Sequence, residues 1–300
     1  MTVERPLSPF PQLAYGTPRK LPRAKSLPGR VVVLDVAFAA NAGGASFEGV
    51  TKPFLDGLGD RLAMWIDHHD HEMHERYADD PRFVLRTKAQ HGACPELVTP
   101  ERVAFAGPVQ TICCHVDFDG LCSAAKWIRG GIEPYVGADA DARAIDTRLG
   151  EPSERAALID RALRARHRDD GLKGVIVRYL AGGAGDKGLL EPIREAAKTL
   201  DGRERESQRL ATRYTVANNI AFCDATERGG HYDKTLLLLL GQELARVSVV
   251  LDETTVTAAA AFDSGVDLVA LLGLTGGMPT RVSVERARLD ELMTALRNAH

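Results

Sequence analysis

The chain has 300 residues, 44% hydrophobic and 26% charged, a composition that supports two domains with real cores and excludes a fibre or a disordered polymer. A formal net charge of −3 speaks against a protein that coats long duplex nucleic acid, which leaves a basic footprint, but leaves short anionic substrates open. Five cysteines, an odd number without a C-x-x-C pair, point to a reducing compartment and hence the cytoplasm.

Residues 1–29 are rich in proline with scattered Lys and Arg, and read as an extended arm lying on the body or a disordered segment, not a secretory signal; no later apolar run is long enough to span a bilayer. The first predicted strand is Val31-Val32-Val33-Leu34, which stops at Asp35, a metal ligand or a cap for the small-residue turn at 39–44. A short helix is expected over 52–58. The apolar run Leu62-Ala63-Met64-Trp65-Ile66 then reads as a buried parallel strand ending in Asp67-His68-His69-Asp70-His71, with His74 beyond. Open α/β sheets bind ligands at such strand ends, and carboxylate with imidazole suits Mn, Fe, Zn and related divalent ions; the alternative is a solvated, His-rich turn.

A further short strand is expected at 83–86. The loop at 91–96 holds His91 and Cys94, but no partner pair with zinc-site spacing. The most specific stretch follows: an apolar strand from Thr111 ends in His115-Val116-Asp117-Phe118-Asp119-Gly120, with an amphipathic helix expected from Ser123. Alternation sets His115, Asp117 and Asp119 on one side, and carboxylates so close repel unless a cation lies among them.

From residue 151 the composition turns helical, and 187–214 reads as a charged, Ala-rich helical linker between a domain over 30–186 and a smaller α/β domain over 215–300. In the latter, strands are expected at 220–224, 245–251 and 254–261, and a Leu-rich helix at 233–241. Near its end, Gly276-Gly277 permits close backbone approach to an anion, and Arg281 supplies a fork for phosphate.

These residues resemble the DHH phosphoesterases, a family of α/β hydrolases that includes single-strand exonucleases, nano-RNases, cyclic-dinucleotide phosphodiesterases and pyrophosphatases. His115-Val116-Asp117-Phe118-Asp119-Gly120 is similar to the family's His/Asp/Asp motif, Asp35 to its bridging strand-end Asp, and Asp67-His68-His69 to the D-H-H triplet. The order differs. The family places the His/Asp/Asp motif first, whereas here it follows D-H-H, as in a circular permutation, which strand-end ligands tolerate because they depend on spatial neighbours. The Gly276-Gly277 segment resembles the Gly-Gly-His-Pro loop of the accompanying DHHA1 substrate-binding domain, with Met278 in the place of His.

The resemblance implies two divalent ions, Mn with Mg or Co as alternatives. His115 and Asp117 would hold one, and Asp119, His68 and a fourth-motif Asp the other, with Asp35 bridging them. For the fourth motif Asp139 or Asp141 is favoured, with Asp146 third. Asp67 would orient His68, and His69 would face the phosphoryl group. The implied substrate is a short oligonucleotide or dinucleotide. Inorganic pyrophosphate or polyphosphate is the alternative, and a catalytically silent nucleotide sensor a different class. Oligomerisation stays open.

Overall fold

The computed structural model describes residues 10–42, 44–228 and 231–298. Along the chain run β1 (Gln12–Tyr15), β2 (Val31–Leu34), β3 (Leu62–Asp67), the two-residue β4 (Asp70–His71), β5 (Phe83–Leu85) and β6 (Thr111–Cys114). All but β4 form one sheet in the order β1-β6-β2-β3-β5, with every pairing parallel. β2, β3 and β6 are buried along their whole length, so they read as unbroken apolar runs rather than as alternations.

Alternate residues of these strands feed two cores. Val31, Val33, Trp65 and Cys113 pack with Phe38, Phe47 and the apolar side of α1 (Lys52–Leu58). Val32, Leu34, Ile66 and Ile112 face the opposite layer. That layer draws on α2 (Pro100–Ala106), α3 (Phe118–Ile128), α4 (Ala138–Thr147), α5 (Glu154–Ala165), α6 (Asp170–Ala181) and α7 (Lys187–Lys198). Several of these helices begin at side chains that cap exposed amides: Asp117 for α3, Ser153 for α5, Asp169 for α6 and Asp186 for α7.

Three expectations about organisation change. The proline-rich arm is not merely laid over the body, because Gln12–Tyr15 joins the sheet as an edge strand beside β6; residues 1–9 lie outside the described residues. The expected linker is two helices with separate allegiances. α7 sends Ile193, Ala196 and Ala197 into the helical layer against the first sheet, whereas α8 (Asp201–Ala211) sends Leu210 into a core of the second unit, with buried Leu200 between them. The helix after the His/Asp/Asp segment starts at Phe118 rather than Ser123, since the Asp117 carboxylate caps it at once.

The second unit is a mixed sheet built from β7 (Thr215–Ala217), β8 (Ile220–Asp224), β9 (Val247–Leu251), β10 (Thr255–Ala260) and, beyond the short β11 (Gly276–Gly277), β12 (Arg281–Glu285). Its order is β12-β10-β9-β8-β7, with only β8 and β9 parallel. α8 and α9 (Lys234–Gln242) cover one face, and α10 (Leu268–Leu271) and α11 (Leu289–Asn298) the other. The two units are tied by an antiparallel ladder between β4 and β11, by Arg161 with Asp201 and Glu204, and by an Arg164–Asp233 ion pair. No helix among the described residues is long and apolar enough to cross a membrane.

Candidate active site

The backbone ladder runs one residue past two strand ends: the Asp35 N–H donates to the Ile66 carbonyl at 2.8 Å, and the His115 N–H to that of Leu34 at 3.1 Å. The neighbouring strands β6, β2 and β3 therefore deliver His115, Asp35 and Asp67-His68-His69 side by side at one sheet edge. Asp35 takes φ 58, in the left-handed region that a short polar side chain tolerates better than an apolar one. Behind it, Gly120 lets α3 approach directly, because a Cβ there would meet the His115 carbonyl oxygen at 2.8 Å.

Each imidazole has its own orienting partner. The Nδ1 of His68 donates to the His91 carbonyl at 2.9 Å, which leaves the Nε2 lone pair turned toward Asp35 Oδ1 and Asp119 Oδ2, both at 3.2 Å. Asp67 was expected to orient His68, but its Oδ1 instead accepts from His69 Nδ1 at 2.9 Å. Burial alone would raise the Asp67 pKa, yet the His69 ring beside it outweighs burial and holds it at about 2. His69 itself is pushed below the usual imidazole range by burial and by the Lys88 charge. For His115 the balance reverses: burial disfavours its charge, but Asp117, 2.7 Å away, outweighs that and raises it.

The three candidates for a fourth acid lie in different surroundings. Asp139 is paired with Lys126 at 2.5 Å, and Asp141 accepts from the Tyr135 hydroxyl and from Ser153. It is Asp146, in the last turn of α4, whose Oδ2 comes within 3.8 Å of His68 Nε2. The remaining candidates stay outside. His71 accepts from the Met73 amide and His74 packs edge-on against Phe38. His91 faces Glu96, and Cys94 is buried, its amide donating to Asp119 at 3.3 Å.

Ligand-type atoms thus gather within 4.8 Å of one another in three overlapping groups: Asp35, His68 and His69; Asp35, His115 and Asp117; His68, Asp119 and Asp146. Asp35 is shared by two. Its side chain is fully buried, and neither carboxylate oxygen has a hydrogen-bond partner among the described residues. Burial, followed by the charges of Asp119 and Asp117, pushes its pKa well above the usual carboxylate range. An unpartnered buried carboxylate beside two others is costly unless a cation joins it, so the donor set fits a divalent ion.

Above the acids lies a cleft of about 350 Å³ between the two units. His69, Asp117, Asp119 and Asp146 line one wall, and Met278, Thr280 and Arg281 the other. Among the described residues the Arg281 guanidinium has no hydrogen-bond or ion-pair partner; enclosure and neighbouring Arg148 work against its charge. The glycine pair expected to cradle an anion is used differently. Gly276 pairs with His71 and Gly277 with Asp70, and a Cβ on Gly276 would meet the Asp70 carbonyl oxygen at 2.5 Å. Two residues, Lys88 buried beneath the acids and Arg148 in the cleft lining, carried no warning in the sequence. Lys88, only 2% exposed, sits in the polar stretch Thr87-Lys88-Ala89-Gln90, and Arg148 follows Asp146 by two residues in the left-handed region.

No protein-family model matches the chain, and no curated protein matches it. Among solved structures, a pGpG-specific phosphodiesterase, PggH from Vibrio cholerae, matches 91% of this chain and 98% of its own, with a TM-score of 0.44 and 12% identity.

Proposed function

We propose that the chain is a divalent-metal-dependent phosphodiesterase of the DHH type, permuted in chain order, acting on dinucleotides or short oligonucleotides, with Mn as the preferred ion. One observation carries the reading: the buried Asp35 carboxylate, with both oxygens unpartnered, stands between His68 and His115 at the C-terminal edge of a parallel sheet. Asp35, His115 and Asp117 would hold an ion, and His68, Asp119 and Asp146 form a second donor group. Bound there, a divalent ion supplies a Lewis acid for the phosphoryl oxygens and lowers the pKa of water.

The chain's own groups do the rest. With Nδ1 committed to Asp67, Nε2 is the nitrogen of His69 left to exchange a proton with water or the leaving oxygen, and its lowered pKa keeps it neutral and receptive near pH 7. Arg281, unpaired on the facing wall, grips a second phosphate or the far end of the substrate, and so favours a molecule longer than a single phosphoester. Gly276 and Gly277 serve this indirectly, by closing the second unit over the site.

The test is to incubate the purified protein with Mn and a panel of dinucleotides, short RNAs and pyrophosphate, and to separate the products by chromatography. Mononucleotides released from the dinucleotides are expected. Turnover of pyrophosphate alone would shift the reading to a pyrophosphatase, and no turnover of any member would refute it.

A further inference from the structure

The turn at 87–91 holds the imidazole of His68 at both nitrogens. His91 offers its carbonyl to Nδ1, and the Lys88 ammonium lies 2.9 Å from Nε2. The turn is itself fixed: the amides of Gln90 and His91 both donate to the Thr87 carbonyl at 3.0 Å, and the Lys88 amide donates to Asp70 at 3.2 Å. The same ammonium makes an ion pair with Asp146. It thus occupies the corner formed by His68, Asp119 and Asp146, one of the groups whose atoms are spaced for a metal.

A ring nitrogen with one lone pair serves one partner. An ion on the axis from Nε2 to Nζ, at the usual distance of about 2.0–2.1 Å, would lie within roughly 0.9 Å of the lysine nitrogen. Lysine and metal exclude each other there. Nothing similar blocks the other side. Asp35 Oδ2 lies 3.7 Å from His115 Nδ1, and among the described residues no Lys or Arg is paired with Asp35, His115 or Asp117.

We infer that the Lys88 ammonium is a built-in cation in the His68–Asp119–Asp146 corner, so that the chain binds a single divalent ion, on Asp35, His115 and Asp117. This rests on the metal-dependent reading above and departs from the pair of ions that the family resemblance implies. Lys88 balances the charge of Asp146 from below the cleft and leaves the nearby Asp119 with only part of its charge offset.

The inference is tested by counting ions on the full chain. The protein is dialysed against Mn, its metal content measured by elemental analysis, and its low-temperature electron paramagnetic resonance spectrum recorded. Wild type is expected to hold one Mn per chain with the spectrum of an isolated ion, and Lys88→Met to hold two with a spin-coupled spectrum. Asp146→Asn should leave the single ion's affinity nearly unchanged, whereas Asp117→Asn weakens it by about tenfold or more. Two coupled ions in wild type would overturn the inference and leave the metal-dependent reading standing, whereas no bound Mn would overturn both. A folded Lys88→Met protein that still holds one ion would also overturn it. Should that variant not fold, the wild-type count and the Asp146→Asn and Asp117→Asn affinities decide the matter.

Discussion

Arg281→Ala separates grip from chemistry. The residue lies on β12 opposite Ala259 of β10, its guanidinium facing the cleft without a protein partner. Removing it strands no buried acceptor, so folding stability should change by no more than about 0.5 kcal/mol, as for an ordinary surface substitution. Under the proposed function, what would be lost is a charged hydrogen bond to the substrate, worth about 1.5–3 kcal/mol. If that bond is made in the transition state, kcat/KM for a dinucleotide should fall roughly ten- to a hundredfold. A small chromogenic diester, too short to span from the acids to the opposite wall, should be hydrolysed nearly as fast as by wild type. The assay is steady-state kinetics on both substrates with Mn, alongside thermal melting of both proteins. Equal losses on the two substrates would mean that Arg281 supports the acids or the fold, and the division between a reacting wall and a gripping wall would be wrong.

Asp35→Asn should abolish hydrolysis yet raise the melting temperature of the metal-free protein, because it removes an unpartnered buried charge while asparagine keeps the left-handed backbone; about 2–4 °C is expected per kcal/mol relieved. A lower melting temperature would show that the carboxylate is satisfied in some other way. Mn at about a hundred times its dissociation constant should stabilise wild type by about 2.7 kcal/mol, seen as a rise of several degrees that EDTA reverses and that Asp35→Asn lacks. All five cysteines are buried, and burial pushes the Cys113 thiol up to about 12, so at pH 8 it stays protonated and the native protein should resist a chromogenic disulfide reagent until denaturant exposes all five. Rapid labelling of even one thiol in the native state would contradict that packing.

The strands that carry the site were legible because burial on both faces writes them as unbroken apolar runs, each halted by a carboxylate or imidazole. The D-H-H and His/Asp/Asp segments needed only that reading, together with the rule that parallel strands end on the same side. The fourth acid was not legible. Asp139 and Asp146 are seven residues apart on α4, hence on the same helix face but about 10 Å apart along its axis, and only packing decides which end meets His68. Lys88 left no trace either, since a lysine in a polar turn looks solvated until its ammonium is found beneath the strand ends. The edge strand β1 was hidden by its brevity and by flanking Pro11 and Pro18, and the double allegiance of 187–214 by charges that mask where one helix stops and the next begins.

The ladder between β4 and β11 begins at Asp70, the residue after His69. Were the second unit to swing away and admit or release a substrate, it would either unzip two residue pairs or drag on the backbone adjoining the His69 imidazole. Under the proposed function, product release and the alignment of His69 would therefore be mechanically linked. A force that opened the cleft would then also detune the proposed chemistry, and alignment would return only with the ladder closed.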